Sequence, residues 1–220
     1  MKRINKLRAA ALARPAILAA SIAAVATPAQ AQSDPISQVN AFYSTIAEDQ
    51  RSDLVVLPLV AKMDPLPAGL NDQGDAIFLH ADSEALPDAA AWAASEPQQA
   101  VLQALAEVTE EPDPRFGMAF GLPYGVEALS DSDREIDLIA DGMYVELDVG
   151  GTPLLGGADF KYLDGLRNVE ILVFVEARRQ QIEGNPRRSI EVLVDWLRFS
   201  RQLADREFLP EKMYGMQSIV

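Results

Sequence analysis

The chain has 220 residues, no cysteine, one histidine, and 33 acidic against 19 basic side chains, for a formal net charge of −14. The absence of thiols excludes a disulfide framework, a cysteine nucleophile and thiolate metal sites. The acid excess disfavours nucleic acid and anionic lipid as partners, and 49% hydrophobic residues exclude a disordered chain.

The first 31 residues read as a signal peptide. Lys2, Arg3, Lys6 and Arg8 precede an apolar stretch from Ala16 to Ala26, and the small side chains of Ala29 and Ala31 mark the cleavage signal. Arg14 and Pro15 interrupt the run, which is shorter than the roughly 20 apolar residues a spanning helix needs. The working protein is therefore expected to begin near Gln32, to be periplasmic or secreted, and to make no stable membrane insertion after processing. Residues 32–220 are expected to form a single mainly helical domain, with any sub-boundary near 115–157. Charge is uneven within it: four basic against 24 acidic side chains over 32–159, and ten against nine over 160–220.

Val39, Phe42, Tyr43 and Ile46 predict a helix over Ile36–Gln50. Leu54–Met63 is apolar with Pro58 inside it and fits either helix or strand. Pro65, Pro67, Gly69, Asn71 and Asp72 mark a loop over 64–74. Ile77–His80 is either a short strand or a turn of helix. Pro87–Ala94 opens an alanine-rich helix carrying Trp92. Ser95 and Gln98 have capping-box spacing ahead of a helix with Val101, Leu105 and Val108 on one stripe, ended by Pro112-Asp113-Pro114. Residues 143–148 alternate and suggest one strand, and Gly150-Gly151 and Gly156-Gly157 bracket a flexible loop.

From Asp159, placed as an N-cap, a helix is predicted to about Glu183, on the spacing of Phe160, Leu163, Leu166, Val169, Val173 and Ala177. The run Val169–Val175 is β-prone, but length favours helix. Gly184 supplies a C-terminal cap, Asn185 an N-cap and Pro186 the first residue of a helix to about Arg206. Ile190, Leu193, Leu197 and Ala204 are assigned to its buried face, and Asp195–Arg198 and Arg201–Asp205 to ion pairs on its wet side. So short a turn requires antiparallel packing, and Leu193→Asp is expected to unfold the hairpin. Glu211–Val220 reads either as a docked C-terminal helix or as the start of a helix in a truncated chain.

Candidate chemistry is sparse. A lone His80 excludes a histidine triad or a multi-histidine zinc site. Asp131, Asp133 and Glu135 have alternating ligand spacing, but Ile136 and Gly142 stand where a calcium loop needs glycine and glutamate, so a solvated helix start is the preferred reading. No nucleophile elbow, phosphate loop or dinucleotide fingerprint occurs. No cofactor and no metal are expected. Phe116, Phe120 and Tyr124 recur every four residues among glycines; they either line a binding groove or plug the core, the second being favoured. Arg178, Arg179, Arg187 and Arg188 cluster at the hairpin turn and read as a solvated helix end.

The run from Ala177 through Gly184-Asn185-Pro186 to Ile190, followed by Leu193, Leu197 and Leu203-Ala204-Asp205, resembles one helix–turn–helix unit of the tetratricopeptide type. The early aromatic and small-residue positions of that repeat are poorly filled, and no second copy is visible. With Trp92–Val108 and the Pro114-Arg115-Phe116 step, the chain also resembles a group of uncharacterised exported bacterial helical proteins. That resemblance implies a mainly helical fold and no activity or site.

The expected architecture is therefore mainly α: stacked antiparallel helical hairpins with a short irregular or two-stranded insertion near 115–157. The expected role is non-enzymatic, with another protein as binding partner or scaffold client. The alternative is a metal-independent hydrolase or small-molecule binder using loops 115–157.

Overall fold

Nine α-helices and one two-stranded sheet make up the described residues of the computed structural model, which are 35–111, 113, 117–147 and 157–217. The signal segment with Ala29 and Ala31, the Pro114-Arg115-Phe116 step, and Gly150, Gly151 and Gly156 lie outside them. The fold is mainly helical with a small two-stranded insertion, as the sequence predicts.

The centre is α7 (Tyr162–Ile182). Leu166, Val169, Ile171, Leu172, Val173 and Val175 are all buried, on more than one face of this helix. A helix apolar around its circumference belongs inside a bundle, which is why Val169–Val175 looks β-prone in sequence and is nonetheless helical. Packed around it are α2 (Ser52–Val60), α3 (Gln73–Ile77), α4 (Leu86–Ala93), α5 (Glu96–Val108) and α8 (Pro186–Ala204). The helix α9 (Leu209–Gln217) packs on α8, with Gly215 against Ser200 and Ala204, and buries Glu211, Tyr214 and Gly215.

Several boundaries and caps differ from expectation. The first helix, α1, spans Pro35–Tyr43, and the rest of the predicted helix becomes a turn and a 3-10 segment at Glu48–Gln50. The ambiguous Leu54–Met63 is helical as α2, and Ile77 ends α3. Ser95 precedes α5, but its hydroxyl bonds the side chains of Gln98 and Asp64 and caps no backbone amide. The capping box forms instead at Ser130, ahead of α6 (Asp131–Glu135), with Asp133 as its return partner.

Asp159 caps nothing. With Phe160 it forms β2, antiparallel to β1 (Val145–Glu146), with Val145 opposite Phe160. Asn185 makes no side-chain cap either; its amide donates to Gln180 Oε1. Gly184 does turn the chain, with φ of +83°, a conformation that costs side-chain-bearing residues energy.

The buried face of α8 is Val192, Trp196, Phe199 and Leu203, not Ile190, Leu193, Leu197 and Ala204. Ile190 is 61% exposed, Leu197 is exposed, and Leu193 and Ala204 are half-buried. Apolar side chains cover a wide arc of this helix, and both sets are spaced by three or four; the aromatic set fills more core volume and wins. The expected wet-side pairs are absent: Asp195 accepts from Thr109 Oγ1 at 3.3 Å, and Arg198 donates to Thr109 O at 3.1 Å, tying α8 to the end of α5.

Candidate functional site

The strand-like segment 119–124 crosses the interior without belonging to a sheet. Buried backbone polar groups need partners, and here three side chains and one backbone bridge supply them. Ala119 bridges to Arg51 in parallel, with Ala119 N donating to Gln50 O at 2.9 Å and Ser52 N to Ala119 O at 3.0 Å. Gly121 N donates to Asp53 Oδ1 at 2.7 Å. Arg206 donates to Phe120 O at 3.2 Å and to Leu122 O at 2.6 Å. The Asn40 amide acts as a surrogate strand, exchanging two 2.8 Å bonds with Tyr124 N and O.

Two buried charge networks hold these side chains. In the first, Arg206 Nε donates to Glu211 Oε1 at 3.0 Å, and Glu211 also accepts from the hydroxyls of Tyr124 and Tyr162. The guanidinium lies over the rings of Tyr43 and Tyr124 at 4.2 and 4.4 Å. Burial acts to lower the Arg206 pKa, but the charges of Glu211 and the tyrosines outweigh it and raise the value. Burial, with Glu211 close by, pushes the Tyr124 and Tyr162 hydroxyls far above their ordinary range. Arg206 is 1% exposed and Glu211 0%, so the ion pair itself is sealed from solvent.

In the second network, Arg51 Nη2 meets Asp53 Oδ2 at 2.5 Å and Asp133 Oδ1 at 2.7 Å. Burial opposes the charge on Arg51, and the two aspartates overcome it to raise its pKa. Asp133 Oδ2 accepts from Ser130 N and Ser130 Oγ. Gly121 permits the close approach: a Cβ there would lie 2.8 Å from Arg51 Cγ.

The three carboxylates of these two networks each occupy the first turn of a helix: Asp53 in α2, Asp133 in α6, Glu211 in α9. The positive end of a helix favours a carboxylate there and offsets part of the cost of burying it. Asp133 is thus no solvated helix-start residue, contrary to expectation, and it serves Arg51. Among the described residues no group of three or more His, Asp or Glu side chains is arranged to hold a metal ion.

Above Arg51 the surface opens. One cavity of about 370 Å³ is lined by Ser37, Asn40, Arg51, Gly121, Ser130 and Asp133 among others. A second of about 590 Å³ is lined by Ile36, Tyr124, Val126, Glu127, Glu146 and Leu147 among others. Ser37, Asn40 and Ala128 line both, so the two form one groove between α1 and the 121–130 segment. Each falls in the range of about 300–1,000 Å³ typical of ligand sites.

Of the aromatic candidates, Phe120 and Tyr124 are buried; Phe120 stacks on Tyr162, and Tyr124 packs edge-on to Phe208. Phe120 lines neither cavity and fills the core, and Tyr124 forms part of the wall of the larger one. Phe116 lies outside the described residues. His80 is exposed. The arginines at the hairpin turn meet their own neighbours: Arg179 bridges Glu176 and Glu183, Arg187 and Arg188 share Glu191, and Arg178 donates to Leu79 O. Arg51, Asn40, Asp53, Arg206 and Glu211 escape sequence reading. The one signal for Arg51 is its rarity, as one of four cations among 24 acids over 32–159.

No family model, curated protein or solved structure matches this chain.

Proposed function

We propose that this is an exported, non-enzymatic protein that binds another protein through its open surface. One observation carries the reading: the most strongly coupled ionisable groups are sealed inside the fold as structural clamps, while the accessible features suit docking. Catalysis needs reactive groups that touch a substrate, and the polar atoms of Arg206, Glu211, Tyr124 and Tyr162 are taken up by one another and by the carbonyls of the segment they hold. The accessible features are the groove along α1 and apolar side chains left in water. Phe78 is 72% exposed, and Leu209, Met213 and Met216 form an exposed stripe along α9. Unpartnered apolar surface of this kind marks interaction sites. Among the described residues no helix is long and apolar enough to cross a membrane.

The test has two arms. Expression of the whole chain with a C-terminal tag, followed by fractionation and N-terminal sequencing, is expected to give a periplasmic or secreted product starting near Gln32. Capture of that product from its own compartment is expected to recover one protein in stoichiometric amount. A cytoplasmic product with an intact N-terminus refutes the export reading, and a purified protein that is monomeric and recovers nothing refutes the binding reading.

A further inference from the structure

We infer that the groove between α1 and the 121–130 segment is a docking site for a basic segment of another protein, bound in extended form. This rests on the protein-binding reading above and names the chemistry of the partner.

Arg51 points to a ligand. It is 6% exposed and lines the 370 Å³ cavity. Its Nε and Nη2 are committed to Asp53 and Asp133, whereas Nη1 has no hydrogen-bond partner among the described residues. A guanidinium carries donors at all three nitrogens, so a buried arginine with one nitrogen open to a groove offers that donor to whatever fills it. The acceptor is not an anion. Arg51 is already shared between two carboxylates, which leaves the floor with an excess negative charge. A neutral carbonyl oxygen fits, and a peptide backbone supplies one.

The walls select the side chains. Glu146 lines the larger cavity, and the lysine it pairs with, Lys161, is likewise shared with a second carboxylate, Asp159. Glu127 makes no ion pair among the described residues and lines the larger cavity. Arg134 returns one positive charge nearby, its guanidinium held on the carbonyls of Leu129 and Val126. The balance remains negative, and the field is reinforced by Glu48, which accepts from Ser132 Oγ at 2.6 Å. Ile36, Val126 and Leu147 give the groove apolar walls between these charges. Lysine or arginine alternating with apolar residues complements such a surface, because alternate side chains of an extended chain point to opposite sides.

The probe is a labelled, end-blocked nonapeptide of alternating lysine and valine, with a glutamate–valine peptide as control. The processed protein is expected to bind the lysine peptide saturably, at least ~10-fold tighter than the control, and more weakly as salt rises from about 50 to about 300 mM. Ala128 is exposed and lines both cavities, so Ala128→Trp leaves the core untouched and fills the groove. It should weaken binding at least ~10-fold. Glu127→Gln with Glu146→Gln should weaken it and flatten the salt dependence. The Arg51 guanidinium resonances should shift on titration with the lysine peptide. Equal binding by wild type and Ala128→Trp, no preference for lysine over glutamate, or no binding would each overturn the proposal. A natural partner retained by Ala128→Trp would also overturn it, while leaving the protein-binding reading standing.

Discussion

Replacing Glu211 with glutamine tests the clamp that holds the interior segment. The side chain keeps its shape and loses its charge. Arg206 stays buried with no counter-charge, and one of the two acceptor oxygens becomes an amide that faces donors. Breaking a buried ion pair by removing one partner costs about 3–5 kcal/mol. An exposed pair is worth only about 0–1 kcal/mol, and the exposures of 1% and 0% place this one firmly in the first class. Against a total stability of about 5–15 kcal/mol, the loss is a large fraction. With a urea slope of about 2 kcal/mol/M, the midpoint of unfolding followed by circular dichroism should fall by about 2 M. A fall of less than about 0.5 M would show that water screens the pair and would refute the argument. The double variant Arg206→Met with Glu211→Leu separates charge from hydrogen bonding. Apolar replacement of a buried pair is often neutral, but here Arg206 also covers Phe120 O and Leu122 O. Each orphaned carbonyl costs about 1–3 kcal/mol, and the Tyr124 and Tyr162 hydroxyls lose their acceptor as well, so the double variant should be no more stable than Glu211→Gln.

Alkali should unfold the protein through its tyrosines. Tyr124, Tyr162 and Tyr214 have pKa values raised in the fold, chiefly by burial, so the folded state keeps protons that the unfolded chain releases. Stability is full below pH about 10 and falls above it by about 1.4 kcal/mol per pH unit for each tyrosine. Absorbance at the tyrosinate band should show these three ionising together with loss of helix; ionisation of all five tyrosines in a still-helical protein would refute it. Gly215→Ala should destabilise by about 1–3 kcal/mol, because a Cβ there would stand 2.5 Å from Ser200 O and 2.7 Å from Ala204 N, backbone atoms that yield only if α9 moves away from α8. Val192→Asp should unfold the hairpin in a thermal melt, whereas Leu193→Asp, on a half-buried side chain, should be tolerated with a smaller drop in Tm; the opposite order would restore the helix face expected from sequence.

The helices were legible in sequence where local chemistry decides them. Gly184 and Pro186 mark the turn between α7 and α8 through contacts within five residues, whereas the capping box expected at Ser95 forms at Ser130, which the sequence reading passed over. What was not legible depends on partners far along the chain. Asp159 looks like a helix cap until its pairing with Glu146 is known, and the face of α8 is set by which side chains α7 and α5 leave room for. The groove residues are less visible still. Asn40 meets Tyr124 across 84 positions, Gly121 meets Asp53 across 68 and Arg206 meets Leu122 across 84. No periodicity records such contacts, and a single asparagine or arginine on a helix margin carries no mark of what it will hold.

The same distances explain why the open groove sits where it does. A helix satisfies its own backbone, so a helical hairpin packs by apolar contact alone and needs no buried polar side chain. The segment 119–124 lacks that self-sufficiency, so the fold supplies Asn40, Asp53 and Arg206 as its partners and balances the buried charges with Glu211, Asp133 and Arg51. Side chains committed to that task close the interior on one side. On the other, Arg51 has more donors than the segment and its aspartates can use, and the surplus faces the space between α1 and residues 121–130. The polarity of the groove is therefore a by-product of burying an irregular strand. A variant that loosens the strand from outside the groove, such as Glu211→Gln, should weaken binding of a basic peptide only in proportion to its loss of stability. Ala128→Trp should weaken binding at least ~10-fold at unchanged stability, and the contrast between the two separates the frame from the surface it presents.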